Sequence, residues 1–170
     1  MRRGLYLGRF QPYHLGHHAV LKQIAQEVDE IIVGIGSAQK SHEKENPFTA
    51  GERVLMVSRA LEEFDIKHYV IPIEDIQRNS LWVSHVKSMV PTFEIAYTNN
   101  PLVIELLSEA GIEVKQSPLF HRNNYSGTEI RRRMLEGDKW EHFVPRKVVE
   151  IIRGIDGEKR LRTIVQSDQD

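Results

Sequence analysis

Two histidines three residues apart, His14 and His17, close a short segment that reads Gly8-Arg9-Phe10-Gln11-Pro12-Tyr13-His14-Leu15-Gly16-His17. Residues at i and i+3 share a helix face, so a helix opening here would aim both imidazoles at one spot. A helix start carries free backbone N–H groups and a partial positive charge, both suited to phosphate. The imidazoles add directed donors, Arg9 adds a planar fork that matches phosphate oxygens, and Gly8 lets a phosphate approach the main chain. The chemistry this group fits is holding a polyphosphate while charge moves through it. A pair that only caps the helix, or packs quietly against it, is the plainer alternative. Zinc is a third reading, but metal-binding His pairs on helices are usually four apart beside an acid, as in H-E-x-x-H, and that pattern is missing.

A second group lies late in the chain, at Ser126-Gly127-Thr128-Glu129-Ile130-Arg131-Arg132-Arg133-Met134. Ser126 and Glu129 have the capping-box spacing that satisfies free amides at a helix start. Arg131 lies about a turn from Ser126, so amides, hydroxyls and a guanidinium would meet at the helix entrance as a second phosphate clamp. An ordinary capped helix with a solvated basic face would look the same.

These groups need elements to carry them. Leu5 to Leu7 reads as a buried strand, and Val20, Leu21, Ile24 and Val28 recur at helical spacing from Gly16 onward. Ile31 to Gly36 is a β-branched second strand, followed by a polar loop from Ser37 to Asn46. Thr49 and Glu52 then form a capping box for a helix with Val54, Val57, Leu61 and Phe64 on one face. Tyr69 to Ile73 is a third strand whose Pro72 points to a strand end or sheet edge. A helix over Leu81–Val90, a strand over Phe93–Tyr97, a helix opened by Asn100-Pro101, a strand over Ile112–Val114 and the Ser126 helix through about Glu136 follow. Pro145 starts one more helix, and Gln166 to Asp170 should fray. Strands alternating with helices predict an α/β fold, a doubly wound and mostly parallel sheet. The expected organisation is one domain over 1–170 with a helical C-terminal part at about 138–166. Ligands of such sheets bind at the carboxyl ends of the strands, where the strand order reverses.

The totals narrow the function. The chain has 170 residues, 40% hydrophobic and 28% charged, with a formal net charge of -1. No global basic field favours nucleic acid, so phosphate binding must come from local placement of positive groups. Cys is absent, which excludes disulfides, thiolate metal sites and a Cys nucleophile. No apolar run approaches the ~18–20 residues of a membrane span, and the three-residue apolar core near Met1 is too short for a signal peptide. The expected setting is the cytoplasm, without nucleic-acid or membrane partners.

His14-Leu15-Gly16-His17 resembles the H-x-G-H motif of the nucleotidyltransferase superfamily, and the second group resembles its I-S-S-T-x-x-R motif. Ser126, Thr128 and Arg131 match that motif; Tyr125 and Gly127 depart from it, and Gly127 keeps only its backbone amide as a contact. The resemblance extends over nearly the whole chain to the archaeal nicotinamide-nucleotide adenylyltransferases. It runs through Gly8–Pro12, Ile35–Gln39, Asn46–Arg53, Leu81–Val83, Asn100–Val103 and Tyr125–Leu135.

The resemblance implies a Rossmann-like strand order of 3-2-1-4-5 and AMP transfer from ATP to nicotinamide mononucleotide, or its nicotinic acid analogue, giving NAD and pyrophosphate. It implies His14, His17 and Arg131 as the catalytic groups. Gly8, Arg9, Phe10, Gln11, Gly16, Ser126, Gly127, Thr128 and Arg131 would hold ATP. Trp82, Asn79 and Ser37 would hold the mononucleotide, with Trp82 stacked on a cationic pyridinium, an arrangement an indole face suits. Mg2+ is expected to arrive with ATP, with no metal ligand from the protein, and a homo-oligomer, a hexamer, is implied. Some relatives carry an Arg just before the Pro-Phe pair where this chain has Glu45; Lys40 and Lys44 are the candidates to replace it, and the 37–46 loop is a candidate lid. Two alternatives share the motifs: a pantetheine-phosphate adenylyltransferase, and a non-catalytic sensor of NAD or ATP.

Overall fold

The computed structural model describes residues 1–117 and 125–169. Five parallel strands, β1 (Arg3–Gly8), β2 (Glu30–Ile35), β3 (Lys67–Pro72), β4 (Ile95–Tyr97) and β5 (Glu113–Lys115), form one sheet in the order β3-β2-β1-β4-β5. The chain lays β2 and β3 on one side of β1 and then crosses to β4 and β5 on the other. The order therefore reverses between β1 and β4, the position that opens a crevice beyond the strand ends. Pro72 ends β3, an edge strand, where its missing N–H leaves no gap in the ladder.

Alternation along the strands divides the interior into two layers. Tyr6, Ile31, Val33, Ile35, Ile95 and Tyr97 face one core with α1 (Leu15–Ile24), α2 (Ala50–Leu61) and α5 (Gly127–Glu136). Leu5, Ile32 and Ala96 face the other, against α3 (Trp82–Met89) and α4 (Pro101–Glu109). Helices on both faces are the doubly wound arrangement that the sequence predicts, and no described helix is long and apolar enough to cross a membrane.

Several boundaries differ from the sequence reading. Helix α1 stops at Ile24, and Val28 packs from the turn beyond it. Helix α2 stops at Leu61, with Phe64 packed against the core outside the helix. Strand β4 begins two residues later than expected. The single helix expected from Pro145 is two, α6 (Arg146–Gly154) and α7 (Gly157–Asp168), and α7 takes in Gln166 to Asp168, the first part of the polar end expected to fray. The break falls at Asp156, which is left-handed (φ 54°). Gly157 follows it in close contact: a Cβ there would lie 2.9 Å from Ile152 Cγ2 and 3.1 Å from the Phe48 ring. Val148, Val149, Ile152 and Leu161 bury these two helices in the core shared with α1 and α2. At Ser126 only half of the expected capping box forms. Its hydroxyl accepts from Glu129 N at 3.1 Å, while the Glu129 carboxylate pairs with Arg132 and Arg133, which hold it down to about 2.

Candidate active site

Three clefts open at the carboxyl ends of the strands. The smallest, about 180 Å3, lies between the β1–α1 turn and the start of α5 and is lined by Arg9, Gln11, His14, His17, Gly127, Thr128 and Arg131. An open cleft of about 570 Å3 shares Arg9, Glu45, Thr128 and Arg131 with it and adds Lys44. The third, about 340 Å3, runs over the ends of β1, β2 and β4, with Gly8, Arg9, Ser37, Glu74, Asp75, Trp82 and Asn100 among its walls. Arg9 borders all three, and the two groups read from the sequence meet in the smallest cleft, where His14 and His17 face Gly127, Thr128 and Arg131.

The His pair both caps and presents. His14 is the N-cap of α1, its Nδ1 accepting from Gly16 N at 3.1 Å and from His17 N at 3.4 Å. In return, His14 N donates to His17 Nδ1 at 3.1 Å. An Nδ1 that accepts carries no proton, so each neutral ring holds its one proton on Nε2. The rings stack with centroids 3.7 Å apart, and Tyr6, Phe10 and Tyr13 surround His17. His14 is only 7% exposed. Burial, then the neighbouring Arg131, pull its basicity down to about 3; burial and His14 hold His17 well below the ordinary imidazole value. The helix cap therefore fixes the tautomer, and the site gains two neutral N–H donors rather than two cations. Tyr13 is held in turn by His18 Nδ1 at 2.8 Å, and His18 pairs with Glu63.

The turn that leads into the pair is tightly built. Phe10 is 1% exposed and left-handed (φ 54°), a conformation that favours glycine. Its ring lies across Gly8, where a Cβ would come within 2.8 Å of it. The Gln11 side chain bridges to Phe48, donating to its carbonyl at 3.0 Å and accepting from its N–H at 2.9 Å. Phe10 and Gln11 thus border the smallest cleft while their side chains chiefly hold the turn.

Arg131 reaches back over Gly127 to the first turn. Its Nη1 donates to Gln11 O at 2.7 Å and its Nη2 to Thr128 Oγ1 at 3.4 Å. A Cβ at Gly127 would stand 2.6 Å from Nη1, so a side chain here would make the guanidinium shift. Burial, then Arg9, lower the Arg131 basicity. Arg132, Arg133 and Arg160 are ion-paired, whereas Arg9 and Arg131 have no carboxylate within 4 Å among the described residues. These two remain available to an anion.

Trp82 opens α3, packed on the Leu5–Val86 core below and facing the third cleft above. Ser37 shares that cleft, while Asn79 is exposed in the turn before α3 and is not among its walls. Gly16 sits against His14, its added Cβ 3.0 Å from the ring Nδ1. Lys44 lines the open cleft beside Glu45; Lys40 does not. The described residues hold no group of three or more potential metal ligands. Sequence reading assigned no role to Arg53, yet it is fully buried beneath these loops. An Arg on the inner face of a helix that borders a phosphate loop is the signal that could have found it.

Known proteins resemble this chain in sequence and in fold. The cytidylyltransferase-like family matches residues 5–133. The chain is 67% identical over 168 residues to a nicotinamide-nucleotide adenylyltransferase of Methanosarcina barkeri, covering 99% of this chain and 97% of that one. It is 61% identical to its counterpart in Archaeoglobus fulgidus, covering 98% and 99%. A solved bifunctional NMN adenylyltransferase/ADP ribose pyrophosphatase from Francisella tularensis superposes with a TM-score of 0.77 at 18% identity, a likeness of fold. It covers 95% of this chain, which spans about half of the solved one (52%). Identity this high along the full length of both chains, with the two motifs joined in one cleft, is a family relation: the chain belongs to the cytidylyltransferase-like family, among its nicotinamide-nucleotide adenylyltransferases.

Proposed function

We propose that the chain transfers the adenylyl group of ATP to nicotinamide mononucleotide, releasing pyrophosphate and forming NAD, in the cytoplasm. The observation that carries this is the meeting of both motifs in one cleft, lined by His14, His17, Gly127, Thr128 and Arg131, with Arg9 also bordering the pocket that Trp82 walls. A phosphate oxygen of the mononucleotide attacks the α-phosphorus of ATP, the bond from that phosphorus to the β-phosphate oxygen breaks, and pyrophosphate leaves in line. The attacking phosphate is already ionised near neutral pH, so no protein base is needed. Positioning and stabilisation of the growing charge are then the whole of catalysis.

Each residue has a task in this reading. His14 and His17 donate from Nε2 to oxygens of the transferring phosphate and its neighbour. Neutral donors suit this, since they strengthen toward developing charge without closing a tight ground-state ion pair. Arg131, Thr128 and the amides behind Ser126 and Gly127 hold the leaving pyrophosphate, with Gly8 and Gly16 allowing close approach. Arg9 guides phosphates of either substrate, and Lys44 serves in place of the family Arg at Glu45. A divalent cation, Mg2+ in this reading, would be held by the triphosphate and water rather than by protein ligands and would supply charge neutralisation at the leaving group, beside Arg131.

Trp82 supports the pyridine end. Trp82→Ala is expected to raise KM for the mononucleotide about tenfold and leave KM for ATP unchanged; equal mononucleotide affinity in titration calorimetry would rule out stacking. Glu74 and Asp75 stand in the same cleft, Asp75 held by Gln39 through two hydrogen bonds of 3.1 and 3.0 Å. Two carboxylates there attract a cationic pyridinium and repel a carboxylate on it. The amide form should therefore exceed the acid form about tenfold in kcat/KM. The deciding experiment is pyrophosphate release from ATP and Mg2+ with nicotinamide mononucleotide, its nicotinic acid analogue, or phosphopantetheine. Turnover with neither pyridine nucleotide would overturn the proposal.

A further inference from the structure

We infer that Arg53 is a positioning residue for adenylyl transfer, its buried guanidinium holding the β1–α1 turn that carries Arg9 and the segment after β2 that carries Ser37 in one register. The inference rests on the function proposed above.

Arg53 lies on α2 and is 0% exposed. All five of its N–H donors have a partner, and every partner is a main-chain carbonyl. Nε donates to Thr49 O at 3.2 Å; Nη1 donates to Arg9 O and Gly36 O, both at 2.9 Å; Nη2 donates to Ser37 O at 3.1 Å and Lys40 O at 3.2 Å. Four of these carbonyls belong to the loops that follow β1 and β2. No carboxylate lies within 4 Å among the described residues, unlike the ion-paired Arg132, Arg133 and Arg160. A buried cation with no carboxylate in direct contact is an expensive way to brace a fold. Placed under a polyanion cleft, however, it adds positive potential without touching the ligand.

The backbone beside it is strained in two places. Phe10 (φ 54°) follows the Arg9 carbonyl, and Ser37 (φ 48°) lies between two of the carbonyls that Arg53 takes. Non-glycine residues keep left-handed geometry only where their surroundings determine it, and such positions gather at functional sites. Arg53 supplies that determination for both turns at once, so Arg9 and Ser37 cannot shift independently. Burial, then the neighbouring Arg9, lower its basicity to about 10, which leaves it cationic at neutral pH.

Lysine keeps the charge but has no planar fork to bridge the two loops. Arg53→Lys is expected to lower kcat about tenfold or more, with KM for the pyridine nucleotide changed less. The decisive readout is a double-mutant cycle with Arg9→Ala. If Arg53 acts through Arg9, the double variant loses clearly less in kcat/KM than the product of the two single losses. Multiplicative losses, or wild-type kcat in Arg53→Lys, would overturn the inference. If Arg53→Lys does not fold, hydrogen exchange on the wild type decides: peptides covering 9–11 and 36–40 should open together, more slowly than 43–45, and faster opening of 36–40 than 43–45 refutes it. Absence of turnover in the wild type would instead count against the proposed reaction.

Discussion

His17→Ala is expected to lower kcat by about 10²–10³ while KM for ATP moves only a few-fold. The ring accepts the His14 N–H on Nδ1, so its proton is on Nε2, and the aromatic walls of Tyr6, Phe10 and Tyr13 fix its direction. A preorganised neutral donor is worth most where charge grows, which makes the loss a transition-state loss. The substitution also opens the reciprocal cap, at a stability cost of about 0.5–2 kcal/mol, so steady-state kinetics must be run well below the melting temperature. An unchanged kcat would remove His17 from the mechanism.

The pH dependence of stability follows from the same rings. Both have folded-state values below the unfolded imidazole value of 6.5, down to about 3 for His14. The unfolded chain therefore takes up protons first as pH falls. The stability these groups contribute is present above pH 6.5 and is lost progressively toward pH 3. Between pH 6.5 and 5 this loss belongs to histidines, because the depressed carboxylates Glu52 and Glu129 begin to lose theirs only below 4.5. Urea midpoints at pH 7 and pH 5 check the sign, and a rise on acidification would contradict the neutral-ring assignment.

Arg131→Ala should cost about 10²–10³ in kcat/KM for ATP. The guanidinium lines both clefts beside Arg9, bonds Gln11 O and Thr128 Oγ1, and has no carboxylate within 4 Å among the described residues. Its loss removes a charge from the leaving-group side and the strap between α5 and the first turn. Arg131→Lys is expected to recover little, because an ammonium cannot hold Gln11 O and a phosphate together as the fork does. Recovery to within about threefold of wild type would mean that charge alone suffices and the strap is incidental.

Much of this was legible in the residues. Short apolar runs marked all five strands and helical spacing marked the helices between them, because burial imposes a pattern on the order of residues that the sequence alone reveals. Ser126, Thr49 and Asn100 marked helix starts, since free amides require a local acceptor. The two motifs announced phosphate chemistry. What local pattern missed was the division of the C-terminal helix at Asp156 and Gly157, which is set by contact with Phe48, a residue more than a hundred positions away.

The sequence by itself determined which chemistry is present: two imidazoles at a helix entrance, a guanidinium at another, and an indole on a third element. It could not say whether His14 and His17 cap the helix or face the substrate, because hydrogen bonds from Nδ1 depend on backbone geometry; the tertiary structure shows that the cap is what turns Nε2–H outward. Nor could it give Arg53 a role, since its five partners are carbonyls, which every residue has and no side-chain pattern encodes. Local spacing selects elements, whereas the placing of Ser37 and Trp82 in one cleft and Arg131 in another, both bordered by Arg9, is decided only when the sheet order reverses between β1 and β4.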